Sequence, residues 1–132
     1  MKTNLKKTLG LAALGITLLT NTVPTLAGSV NTPEVVIKRT PYLEASGSMV
    51  GARYSADPQQ SIGCSIYAYQ DVPVLWCRAR TAKSSLDCSS TDARHIDSVQ
   101  RMTDSSNMFF RTDPATGACT IVYIANHSYH LK

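Results

Sequence analysis

Four cysteines, Cys64, Cys77, Cys88 and Cys119, constrain this 132-residue chain more than any other feature. None sits in a Cys-x-x-Cys pair, so the close ligand pairs of a zinc knuckle and the vicinal dithiol of a thioredoxin-like centre are both missing. Their role then depends on the compartment, because an even number of widely spaced cysteines reads as a disulfide framework only where thiols are oxidised.

The first residues point to export. Lys2, Lys6 and Lys7 precede an apolar run from Leu9 to Leu19, and Thr25-Leu26-Ala27 offers small residues at the two positions a signal peptidase reads. The expected domain plan is a signal peptide over 1–27, an extended N-terminal arm over 28–46 and one folded domain over 47–132. The apolar run is too short to span a bilayer comfortably and no second one follows, so the chain reads as exported to the periplasm or beyond, and not as membrane-spanning. Cleavage also changes the charge. The chain is formally +4, but three of its thirteen basic residues lie in the leader, leaving ten against nine acids. A nearly neutral domain gives no support to a nucleic-acid partner, which needs a basic patch.

Disulfide pairing depends on strand register. "SMVGARY" places Val50, Ala52 and Tyr54 on one side of a strand, "SIGCSIYAY" and "VLWCRAR" are rich in β-branched and aromatic residues, and "SLDCSS" closes a meander of four short strands. A two-residue loop at Ala82 and Lys83 sets Cys77 opposite Cys88, within reach of a disulfide, whereas Cys64 and Cys77 fall about two positions out of register across "QDVP". The expected bonds are Cys77 with Cys88 and Cys64 with Cys119.

Beyond Cys88 the period changes. Ala93, Ile96, Val99 and Met102 recur at three-residue intervals, with Ser89 or Ser90 as N-cap and Asp92 in the first turn, which predicts a helix over 91–104. "NMFFRT", "DPATG" and "ACTIVYIA" predict a hairpin with Gly117 at positive φ. Both faces of that hairpin carry apolar residues, which predicts a central last strand with the helix over one face. The fold class is α+β: a small antiparallel sheet of about six strands in β4-α-β2 order with one helix, stapled by disulfides.

Taken together, "GARYSADPQQSIGC", Cys77 and Cys88 flanking a turn, "TDSSNMFF", "DPATGAC" and "NHSYH" resemble a group of small exported bacterial four-cysteine proteins without an assigned activity. The resemblance implies an exported domain and carries over no catalytic residue.

Chemistry is sparse in the sequence. Gly-x-Ser-x-Gly is absent, since the serine of "GSMVG" stands one position early. His95, with Asp97 or Asp92 nearby, is the one candidate base of a small secreted hydrolase. His127 and His130 point to opposite faces of an extended tail, so no metal site or other cofactor is expected. Asn126-His127-Ser128 is formally a glycosylation acceptor, relevant only in a eukaryotic secretory host. The best interaction surface puts Tyr67 opposite Trp76, with Tyr69, Arg78 and Arg80 on the same face. Aromatics and arginines stack on planar groups and are enriched at binding hot spots. A non-enzymatic binding module, acting on an envelope or extracellular partner, is therefore the leading expectation. The alternatives are the hydrolase and an envelope structural protein.

Overall fold

A computed structural model describes residues 31–127; the predicted leader and the tail beyond, with Ser128 and His130, lie outside the described residues. The elements run β1 (Val36–Lys38), β2 (Leu43–Ser48), α1 (Met49–Arg53), β3 (Ser61–Tyr69), β4 (Val72–Arg80), β5 (Ser85–Ser90), α2 (Ala93–Gln100), β6 (Asn107–Thr112) and β7 (Cys119–Ala125). They form two antiparallel sheets, ordered β1-β2-β6-β7 and β3-β4-β5. The small disulfide-bonded α+β class stands, but the expected single sheet of about six strands does not: among the described residues seven strands divide between two sheets, and a second helix is present. The division arises because β6 pairs with β2 rather than with β5, from Leu43 opposite Thr112 to Ser48 opposite Asn107. Among the described residues, one isolated parallel bridge, between Ser89 and Ala118, joins the sheets through the backbone. Strand β7, expected to be central, lies at an edge.

The segment read as an extended arm is extended, but it is built into the first sheet as β1 and β2. Its periodicity is faint because the inner positions of β2 are Ala45 and Gly47, both buried. A Cβ on Gly47 would stand 2.9 Å from the Cα of Val35, so a larger apolar residue could not mark this face. The stretch "MVGAR", expected as a strand, is instead the helix α1. Ser48 caps it, its Oγ accepting a 2.7 Å hydrogen bond from the Gly51 N–H. Gly51 presses against the preceding chain, where a Cβ would come 2.3 Å from the Pro33 carbonyl oxygen.

Helix α2 is shorter than the predicted 91–104 span. Its N-cap is Asp92, not a serine, and the carboxylate accepts from the Arg94 N–H at 2.9 Å. Ile96 and Val99 are buried against β7, and Met102 packs on the core just beyond the helix end. The inner faces of both sheets meet in one core. Ala45, Met108, Phe110 and Val122 come from the first sheet, and Ile62, Leu75, Ala79 and Leu86 from the second. Gly117 takes the positive φ expected of it, +73°, in the β6–β7 turn.

The disulfides are Cys64–Cys77 and Cys88–Cys119, which overturns the expected pairing. The error lay in the first turn. Gln70 and Asp71 both adopt positive φ, 48° and 64°, so the β3–β4 hairpin closes in two residues and Cys64 falls directly opposite Cys77. Register alone still leaves a choice, because Cys77 also stands directly opposite Cys88, as expected. The two pairs differ in backbone polarity. In a central strand, a residue in the narrow, non-hydrogen-bonded site against one neighbour occupies the wide, hydrogen-bonded site against the other. The Cα separation of 4.0 Å identifies Cys64–Cys77 as the narrow pair. Pro73 gives an independent check, since it sits opposite Ala68 at the same parity, where no N–H is required toward β3. Cys88 is left to bond Cys119 across the core, joining the two sheets covalently.

Candidate functional site: the β3–β4 ribbon

Strands β3 and β4 pair along their full length, but β5 accompanies β4 only from Leu75 to Arg80. The hairpin therefore runs on as a two-stranded ribbon, and every residue from Ser65 to Pro73 is exposed. Ile66, Tyr67, Tyr69 and Val72 are 39%, 49%, 62% and 49% exposed. A two-stranded ribbon has too little burial to be stable in water by itself, so this one is held by its root in the core and by the Cys64–Cys77 bond.

The five residues expected to form a binding face do share one face of the sheet, because alternation puts Tyr67, Tyr69, Trp76, Arg78 and Arg80 on the side away from the cysteines. Their order along it differs from expectation. Tyr67 lies opposite Val74, and Trp76 opposite Ser65, a displacement of two residues that follows from the tighter turn. The face is graded. Arg80 reaches Gln59 at 3.4 Å near the base. The Arg78 guanidinium lies 4.4 Å above the Trp76 ring while its Nε donates to Asp87 at 2.5 Å. Trp76 is half-buried beneath it, and Tyr67 and Tyr69 stand clear toward the tip. Arg78 is thus a charge already paired, offering its flat surface rather than a free cation.

His95 makes its side-chain hydrogen bond to a serine and not to a carboxylate. Its Nδ1 lies 2.9 Å from the Ser90 hydroxyl, and Ser90 Oγ also accepts from the Asp92 N–H at 3.1 Å, which makes the serine part of the helix entry. The Asp92 carboxylate is clamped by Arg94, whose hydrogen bonds hold it well below the usual carboxylate range. Asp97 pairs with Arg101 at 2.7 Å. Asp57 in the apolar cleft beside β1 accepts from the Gln59 and Ala82 N–H groups and acts as a loop brace. Among the described residues the one group spaced for a metal is Cys77, Cys88 and Cys119, all of them in disulfides.

A second aromatic surface was not anticipated as a site. On the outer face of the first sheet, the Arg111 guanidinium lies 4.0 Å from the Tyr42 ring and 6.0 Å from Phe109, and it pairs with Glu44 at 3.1 Å. Tyr123 stands opposite Phe109 on the same face, 57% exposed. The two-sided apolar pattern of the last hairpin was its signal, but that pattern was assigned to a central last strand covered on both faces; β7 is an edge strand, and its outer face is open.

Compared with protein-family models, with curated proteins and with solved structures, the chain matches none. Among the described residues no helix is long and apolar enough to cross a membrane. The two disulfides are compatible with an oxidising compartment.

Proposed function

We propose that the protein is an exported binding module that takes an extended polypeptide segment of an envelope or extracellular partner along the free edge of β3, without transforming it. The ribbon carries this reading. Strand β3 is nine residues long, holds no Lys, Arg, Asp, Glu or Pro, and pairs with no strand on its outer side among the described residues. Natural sheets usually blunt such an edge with charge, proline or a bulge. Strand addition to an exposed edge draws affinity from main-chain hydrogen bonds and specificity from the flanking side chains, here Tyr67 and Tyr69 with the Trp76–Arg78 stack behind them. Because Cys64 occupies a narrow site against β4, its N–H and carbonyl, and those of Ile66 and Ala68, point outward to a partner. The predicted leader and the disulfides support an exported setting.

The test is capture from envelope extract beside a thermal melt. The Tyr67→Ala/Tyr69→Ala variant should keep its melting temperature within a few degrees, since exposed positions usually change stability by about 0.5 kcal/mol or less, and should lose the partner. Ile66→Pro removes one outward N–H and spares the β3–β4 ladder, so it should weaken capture as well. Unchanged capture by both variants would reject the edge. Self-association abolished by Ile66→Pro, with no other protein captured, would favour the envelope structural protein instead.

A further inference from the structure

We infer that the four cysteines form an exchange-competent redox centre, in which Cys77 trades Cys64 for Cys88 when a dithiol delivers two electrons. This inference is independent of the ribbon's binding role. Cys64, Cys77 and Cys88 occupy one cross-strand row over three adjacent strands, all on the inner face. The Sγ atoms of Cys77, Cys88 and Cys119 lie within 4.8 Å of one another, so the sulfur of one disulfide adjoins the other disulfide. Cys77 can be bridged on either side. It is bonded to Cys64 at the narrow site, and the wide site opposite Cys88 has a characteristic Cα separation of about 5.5 Å, within the range a disulfide tolerates.

Access is graded along the same row. Cys77, Cys88 and Cys119 are 0%, 2% and 7% exposed, while Cys64 is partly exposed on the edge strand. An incoming thiolate meets Cys64 first. It forms a mixed disulfide with Cys64 and expels Cys77 as a thiolate. A thiolate buried in apolar surroundings is disfavoured; attack back on Cys64 only reverses the first step, and the other electrophile within reach is the adjoining disulfide. Cys77 attacks Cys88, the Cys77–Cys88 bond forms, and Cys119 leaves as a thiolate and takes up a proton. The second thiol of the dithiol then attacks the mixed disulfide, closing its own disulfide and releasing Cys64. Two electrons and two protons have passed from the dithiol to Cys64 and Cys119, and one protein disulfide remains. The chemical consequence is also mechanical: the surviving bond lies within the β3-β4-β5 sheet, and the covalent tie between the sheets is gone.

The experiment is native-state titration of the oxidised protein with limiting dithiothreitol, acid quench, alkylation and peptide mapping by mass spectrometry. The two-electron species should carry label on Cys64 and Cys119 and yield a Cys77–Cys88 linked peptide. Label on Cys64 with Cys77, label on Cys88 with Cys119, or passage from no label to four with no doubly labelled species would each overturn the relay. The Cys64→Ser variant provides a second reading without any reductant. It leaves Cys77 as a thiol beside the second disulfide, and the Cys77–Cys88 peptide with label on Cys119 should appear. Recovery of Cys88–Cys119 alone, with label confined to Cys77, would overturn the inference.

Discussion

Removing each disulfide separately should show which one holds the fold together. On the chain-entropy account the stabilisation grows with the logarithm of the loop that is closed. The Cys88–Cys119 bond spans a sequence separation of 31 and Cys64–Cys77 one of 13. These loops correspond to about 3.7 and about 2.9 kcal/mol respectively at 25 °C. The structure reinforces the ranking, because the shorter loop lies inside a hairpin zipped by nine residue pairs, whereas the longer joins two sheets whose backbones, among the described residues, meet at the single Ser89–Ala118 bridge. Against the roughly 5–15 kcal/mol available to a domain of this size, either loss is large. Urea unfolding of Cys88→Ala/Cys119→Ala and Cys64→Ala/Cys77→Ala should therefore give the lower unfolding free energy for the first variant, by about 0.8 kcal/mol or more. At about 4–8 °C per kcal/mol, the melting temperatures should differ by roughly 3–6 °C in the same direction. An equal or greater loss in the Cys64/Cys77 variant would refute the argument that the inter-sheet bond is the principal tie.

Three further outcomes follow from local geometry. Gly51→Ala would force a Cβ onto the Pro33 and Thr32 carbonyls, at 2.3 and 2.6 Å, and should cost about 1–3 kcal/mol by urea unfolding despite alanine's better helix propensity. Replacing Gln70-Asp71 by Asn-Gly suits the two positive φ values and should raise stability by roughly 0.5–1 kcal/mol in the same assay. Asp92 and Asp113 are both held below the ordinary carboxylate range, the first chiefly by the Arg94 side chain and the second by the Ala115 N–H and the Thr116 hydroxyl. A carboxylate lowered in the fold contributes stability that is complete above its unfolded value of about 4 and is lost as pH falls toward its folded value. The Asp92→Asn and Asp113→Asn variants should consequently flatten the acid limb of a melting-temperature profile below about pH 4; a limb as steep as that of the unmodified chain would count against both attributions.

Local pattern was legible where one face of an element is apolar and its ends are punctuated. Alternation with clear turns marked β3, β4, β5, β6 and β7 close to their observed bounds, and the three-residue spacing of Ile96, Val99 and Met102 marked α2. The pattern failed where small residues do the packing. Ala45 and Gly47 hid β2, and "MVGAR" mimicked a strand because Gly51 packs against backbone rather than presenting an apolar stripe. Membership of the aromatic face survived a register error of two residues, because a shift of two preserves which side of a strand a residue faces.

What the sequence determined by itself was the inventory: a predicted exported chain, four oxidisable cysteines without a close ligand pair, short strands broken by turns, one amphipathic helix and a set of aromatics and arginines sharing one face. Each of these rests on neighbours within a few residues. The tertiary structure alone decided that β2 pairs with β6, that the strands split into two sheets, and that Cys77 bonds Cys64 while Cys88 bonds Cys119. Those choices depend on which facing backbone sites are narrow and on which surface lies across the core, and such relations arise only when segments far apart in the chain are brought together.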